Sequence, residues 1–209
     1  MPLAEAEPCR IIALQGASSP IIQALLGDIA DKLKRRGLRV AGLVENASSG
    51  PNPCKSMELR SLGDERTYSI SQNLGLGSQA CNLHSEGLAL ACAAVEQSIA
   101  SGADVAVLSK FGKQEAQGDG LIDAFGAAIA AGVPIITSVS PALMDAWRRF
   151  AGDYSACVSA DQAKLDSWLD SWLDSWLDSW LDSRSNAVTG GHSHEMMIRP
   201  SAGSHLHES

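Results

Sequence analysis

The sequence predicts an α/β fold, a three-layer sandwich built on a mostly parallel sheet, and three observations point to it. Short apolar runs alternate with segments of helical period through most of the 209 residues. Glycines close the helical segments shortly before the next apolar run begins. An apolar content of 45% is that of an ordinary globular core. Strands that alternate with helices pair in parallel and bury both faces, so each reads as a nearly continuous apolar run. Ligands of such sheets sit beyond the carboxyl ends of the strands.

In chain order, "CRIIALQG" is a buried strand. "PIIQALLGDIADKLKRRG" is an amphipathic helix with Ile22, Leu25, Leu26, Ile29 and Leu33 on one side. Gly37 stops it, and basic residues fill its last turn, where the helix dipole favours them. "LRVAGLVEN" is a second buried strand and "ASSGPNPCKS" a loop by composition. "MELRSL" and "TYSISQNLG" alternate as two strands of a meander or an antiparallel edge. "SEGLALACAAVEQSIASG" is a helix with Ser85 or its neighbours as cap and Gly102 as stop. "ADVAVLSKFG" is a strand that runs into a glycine-rimmed loop, "KQEAQGDG". "GLIDAFGAAIAAG" is a helix, "VPIITSVS" a strand, and "PALMDAWRRFAG" a helix opened by Pro141. "YSACVSA" is a short strand, and "DQAKLDSWL" begins the last helix.

This divides the chain into a flexible start over residues 1–8, an α/β domain over 9–165, a repeat over 166–183 and a disordered tail over 184–209. The repeat is a perfect Leu-Asp-Ser-Trp unit. Four residues turn a helix by about 400°, so its apolar stripe drifts by about 40° per unit. Trp168, Trp172, Trp176 and Trp180 make this stripe a candidate surface for self-association. The tail is poor in apolar residues and rich in glycine and serine. Its His192, His194, His205 and His207 form two His-x-His pairs suited to Zn, Cu or Ni.

The formal charge of -8 is concentrated: five aspartates lie in the repeat, and outside it 16 basic residues face 19 acidic ones. No basic face announces a nucleic-acid partner. The N-terminus lacks the apolar core of a signal peptide, and no run is long enough to cross a membrane. Five scattered cysteines do not form a disulfide framework, so a reducing, cytoplasmic setting is expected. Cys9, Cys92 and Cys157 fall in strands or a helix and are expected in the core. Cys54 and Cys81, with His84 nearby, are candidates for a soft-metal or redox site.

Two loops are candidates for anion chemistry. The first turn, "QGASSPIIQ", lies where a phosphate loop would, yet Ile21, Ile22 and Gln23 occupy the Gly-Lys-Ser/Thr positions of a Walker A motif counted from Gly16. Gly16, Ser18 and Ser19 remain as a helix start able to meet an anion, or simply to cap the helix. In the second loop Lys110 and Lys113 can neutralise an anion around Gly112, with Glu115 pairing or orienting one of them. Asn46, at the end of the second strand, is a further hydrogen-bonding candidate.

"RVAGLVEN", "PC…MELRSLG", "LGLGSQACNL", "ADVAVLSKFGKQEAQGDGL" and "AAGVPIITSVSPALMDAWRRFAG" together resemble an uncharacterised bacterial family, domain of unknown function 2478, from about Cys9 to Leu169. That family is similar to the THEP-type nucleoside triphosphatases, and members are associated with molybdenum-uptake and molybdenum-cofactor genes. The resemblance implies a P-loop NTPase-like topology with degenerate Walker motifs. Where those enzymes end the strand with Asp-Glu, then x-Gly-x-x-Glu, this chain has Ser109 and Lys110, and only Gly112 and Glu115 carry over. Residues for magnesium and water activation are missing, so catalysis is not expected. The expected ligand is a small anion: a nucleotide without magnesium, a phosphorylated pterin-type cofactor, or an oxyanion such as molybdate. The alternatives are a weak NTPase with a remodelled phosphate loop, a metal-handling accessory, and an interaction protein.

Overall fold

The computed structural model describes residues 10–46, 57–72, 82–83 and 85–161, together with Ser167, Ser171 and Asp174. Between residues 10 and 161 the described elements follow one another as β1 (Ile11–Gln15), α1 (Ser19–Arg35), β2 (Val40–Glu45), β3 (Glu58–Ser61), β4 (Thr67–Ser69), β5 (Ser71–Gln72), β6 (Asn82–Leu83), α2 (Ser85–Ala100), β7 (Val105–Leu108), α3 (Lys113–Ala116), α4 (Ile122–Ala130), β8 (Ile135–Ser138), α5 (Met144–Ala151) and β9 (Ser155–Ser159). Single 3₁₀ turns at Pro141–Leu143 and Gly152–Tyr154 flank α5.

Seven strands form one sheet in the order β4-β3-β2-β7-β8-β1-β9. β2, β7, β8, β1 and β9 are parallel, and β3 and β4 add an antiparallel edge. "MELRSL" gives β3 and the start of "TYSISQNLG" gives β4, an antiparallel edge, but the second segment is split: its Ser71 and Gln72 form β5, which pairs with β6 apart from the main sheet. β1 sits between β8 and β9, and the chain leaves it for β2 on the far side of β8. The crevice between β1 and β8 is therefore the topological switch point, where ligands of such sheets gather.

Strand alternation divides the core between two faces. Ile11, Ala13, Leu43, Ala106, Leu108 and Ile135 pack with buried residues of α2, α4 and α5, including Val95, Phe125 and Trp147. On the other face α1 buries Ile22, Leu25, Leu26, Ile29 and Leu33, the stripe its sequence period predicts. Phe111 extends the first core beyond the end of β7, against Phe125, Trp147 and Phe150 with centroids 5.2–6.1 Å apart. Among the described residues no helix is long and apolar enough to cross a membrane.

Two features differ from the sequence reading. The loop after β7 contains the one-turn helix α3, and Cys157, expected in the core, is exposed on β9. β9 is an outer strand of the sheet, so its apolar spelling does not guarantee cover. Cys92 is buried, as expected of a small apolar residue on α2.

Candidate functional site

The carboxyl ends of β1, β2, β7 and β8 bring the candidate loops to one edge of the sheet. After β1 the chain turns at Gly16, whose φ of +86° is the left-handed conformation that glycine adopts without strain. Ser18 precedes α1 in extended conformation, its carbonyl accepting from the N–H of Ile22 at 3.0 Å. Its hydroxyl makes no capping bond, and Ser18 and Ser19 are both exposed. This start of α1 carries no acidic residue in its first turn.

One turn further, Gln23 is buried, only 7% exposed. Its amide donates to the carbonyl oxygen of Ser109 at 2.8 Å, and its oxygen accepts from the N–H of Glu45 at 2.8 Å. Ser138 donates its hydroxyl to the same Ser109 carbonyl at 2.8 Å. Gln23 thus bridges the ends of β2 and β7 from the position where a Walker A loop has its metal-binding hydroxyl. Both ends of the amide are used, so a buried polar group is satisfied by backbone and not by an ion.

Lys110 lies beside this bridge with its ammonium 2.5 Å from the Glu45 carboxylate. Glu115 does not pair with a lysine, as the sequence allowed. It is buried, and its two oxygens accept from the N–H of Gly112 at 2.8 Å and of Leu121 at 2.9 Å. The first of these bonds is the returning half of a capping box for α3. Gly112 and Gly120 give the carboxylate its room: a Cβ on Gly112 would lie 3.1 Å from Glu115 Oε2, and one on Gly120 would overlap Oε1. Lys113, the first residue of α3, is exposed and has no carboxylate partner among the described residues.

A cavity of about 340 Å³ opens between α1 and the β2–β3 edge. Ser19 and Asn46 both line it, as do Gln23, Glu45, Asp28, Asp31 and Arg60. Asn46 donates its amide to Glu58 at 3.3 Å, and Arg60 is held by Glu65 at 2.7 Å. Of the residues singled out in the sequence, Ser19 and Asn46 line this cavity; Gln23, Glu45, Asp28 and Asp31, not among the sequence candidates, line it too. The placing of Gln23 against Ser109 and Glu45 depends on which strand ends meet, and local pattern does not encode that. Cys54, Cys81, His84, His192, His194, His205 and His207 lie outside the described residues. Within those, no group of three His, Cys, Asp or Glu side chains could hold a metal.

The fold and this edge define a P-loop-like α/β domain. A family model described as "Protein of unknown function (DUF2478)" matches residues 11–168, and the chain belongs to that family. It is 37% identical over 166 residues to the molybdenum import ATP-binding protein ModC 2 of Bradyrhizobium diazoefficiens. That match covers 79% of this chain but only 18% of the relative, so the chain spans less than a fifth of that protein's length. The solution structure of a human cancer-related nucleoside triphosphatase superposes with a TM-score of 0.59 at 16% identity, covering 81% of this chain and 98% of that one. The likeness is one of fold: a P-loop NTPase-like, mostly parallel α/β sheet.

Proposed function

We propose that this domain binds a small anionic ligand, either a nucleotide, a phosphorylated cofactor or an oxyanion such as molybdate, and does not hydrolyse it. The observation that carries the reading is the Gln23 bridge to Ser109 and Glu45, with Lys110 where an acidic residue would hold magnesium. Hydrolysis of a phosphoanhydride in this fold needs that cation and an oriented water. A bridge of amide and backbone supplies neither. Lys110 and Lys113 offer charge to an anion directly, though Lys110 must first share or release Glu45. Glu115, with Gly112, shapes the loop that carries them. Gly16, Ser18 and Ser19 face the same ligand in this reading, with Asn46 on the cavity wall. The kinship with a stretch of a molybdenum import ATP-binding protein puts molybdate and ATP first among ligands to try. The setting we propose is cytoplasmic.

A thermal-shift panel tests this, with ATP and GTP with and without magnesium, molybdate, tungstate and phosphate. A ligand at about 100 times its Kd adds about 2.7 kcal/mol, a shift of several degrees. An anion-specific shift independent of magnesium and lost in Lys110→Ala/Lys113→Ala is the expected result. Magnesium-dependent turnover that Lys110→Ala abolishes would instead establish a weak NTPase, and no shift with any anion would remove the reading altogether.

A further inference from the structure

Three groups that the anion site does not use come together between β9 and α5: a thiol, a buried N–H and a guanidinium. Cys157 of β9 pairs laterally with Ala13 of β1. Laterally paired residues of parallel strands point to one face, so Cys157 shares the face on which Ala13 packs with Trp147 of α5. Gln15, two residues beyond Ala13, points the same way, and its amide donates to the Met144 sulfur on α5 at 2.8 Å. Cys157 is exposed, so one side of its sulfur meets solvent. From the protein side Arg148, Trp147 and Gln15 act on it, and each favours negative charge at the sulfur. Trp147 is 1% exposed, and its Nε1–H has no hydrogen-bond partner among the described residues. It lies near enough to the Cys157 sulfur to favour the thiolate, yet makes no hydrogen bond to the thiol. Buried donors are almost always satisfied, and this one lacks an acceptor beside an accessible sulfur.

We propose that Cys157 is an oxidation site, at which hydrogen peroxide converts the thiol to a sulfenic acid whose oxygen accepts the Trp147 N–H. The sulfur attacks as thiolate, an S–O bond forms, and the O–O bond breaks. Sulfur gives up two electrons, and the departing hydroxide takes a proton and leaves as water. Gln15 and Arg148 supply a further donor and a cation to the oxidised, anionic form. Burial raises the thiol, against the opposing pull of Arg148, Trp147 and Gln15. Oxidation is therefore slower here than at a low-pKa sensor thiol, and the site's selectivity lies in keeping the sulfenate once it is made. The added oxygen provides the acceptor that the thiol alone does not. This assignment stands apart from the anion-binding reading and does not depend on it.

The test treats the full chain with hydrogen peroxide, removes the excess with catalase, and traps sulfenic acid with dimedone at once or after a delay. Peptide mass locates the adduct. A dimedone adduct at Cys157 is expected, and the trappable form should last about tenfold longer in the parent than in Trp147→Phe, the effect of one hydrogen bond to a charged acceptor. Phenylalanine keeps a ring against Phe111, and a thermal melt checks that the variant folds. Gln15→Leu removes a half-buried amide outside the aromatic cluster and should also shorten the lifetime, so the proposal stays testable if Trp147→Phe does not fold. Three results would each overturn it: no adduct at Cys157, a lifetime unchanged in every folded variant, or immediate passage of Cys157 to a disulfide or a sulfinic acid.

Discussion

Glu115 is the residue on which the loop after β7 depends. Its carboxylate accepts two N–H groups, and that of Leu121 belongs to a buried residue. Glu115→Ala leaves those donors without a partner, and we expect a loss of about 2–4 kcal/mol in urea denaturation. The Gly-x-x-Glu spacing of Gly112 and Glu115 is legible in the sequence as a helix start, but the second bond, six residues on, is not. Glu65 answers to pH. Hydrogen bonds from Lys34 and then Arg60, at 2.6 and 2.7 Å, hold its carboxyl below the usual glutamate range. A carboxyl with a lowered folded pKa adds stability above its unfolded value and loses it as pH falls through the folded one. The melting-point gap between the parent and Glu65→Gln should therefore be present at neutral pH and close in acid. Cys92, pushed up to about 11 chiefly by burial, is protonated at ordinary pH. Alkylation of the folded chain at mildly alkaline pH, read by peptide mass, should modify exposed Cys157 well before Cys92.

At the scale of elements, β2 and β7 approach so closely that residue 42 must be glycine. Gly42 has φ +133°, and a Cβ there would overlap the carbonyl of Val107. Gly42→Ala should cost about 3 kcal/mol or more, with loss of the cooperative melt as the limiting result. The central strands and longer helices were readable because apolar runs and 3.6-residue periods are properties of neighbours in sequence. "LRVAGLVEN" gives β2 directly, and "PIIQALLGDIADKL" gives the buried face of α1. What escaped was relational. Gln23 reads as an ordinary helical glutamine until β2 and β7 are side by side, and Lys110 reads as a partner for Glu115 until Glu45 arrives from another strand. The exposure of Cys157 likewise follows from β9 being outermost, a fact of sheet order.

For the whole molecule, every buried residue of the core cluster around Phe111 lies between Ile11 and Ala151, and the last strand among the described residues ends at Ser159. A chain ending at Asp161 should therefore keep a single cooperative thermal transition, whereas one ending after β8 should not. The reason is that β1 has Ile11 beside Ile135 on one flank and Ser155 on the other. Within this sheet the strand made first is thus the one whose two neighbours are made last. Until β8 and β9 emerge, "IIALQ" has both edges unpaired, and the contacts that will cover it are far off in the chain. Nascent chains stalled before Ile135 should be the form most prone to aggregate and most dependent on chaperones.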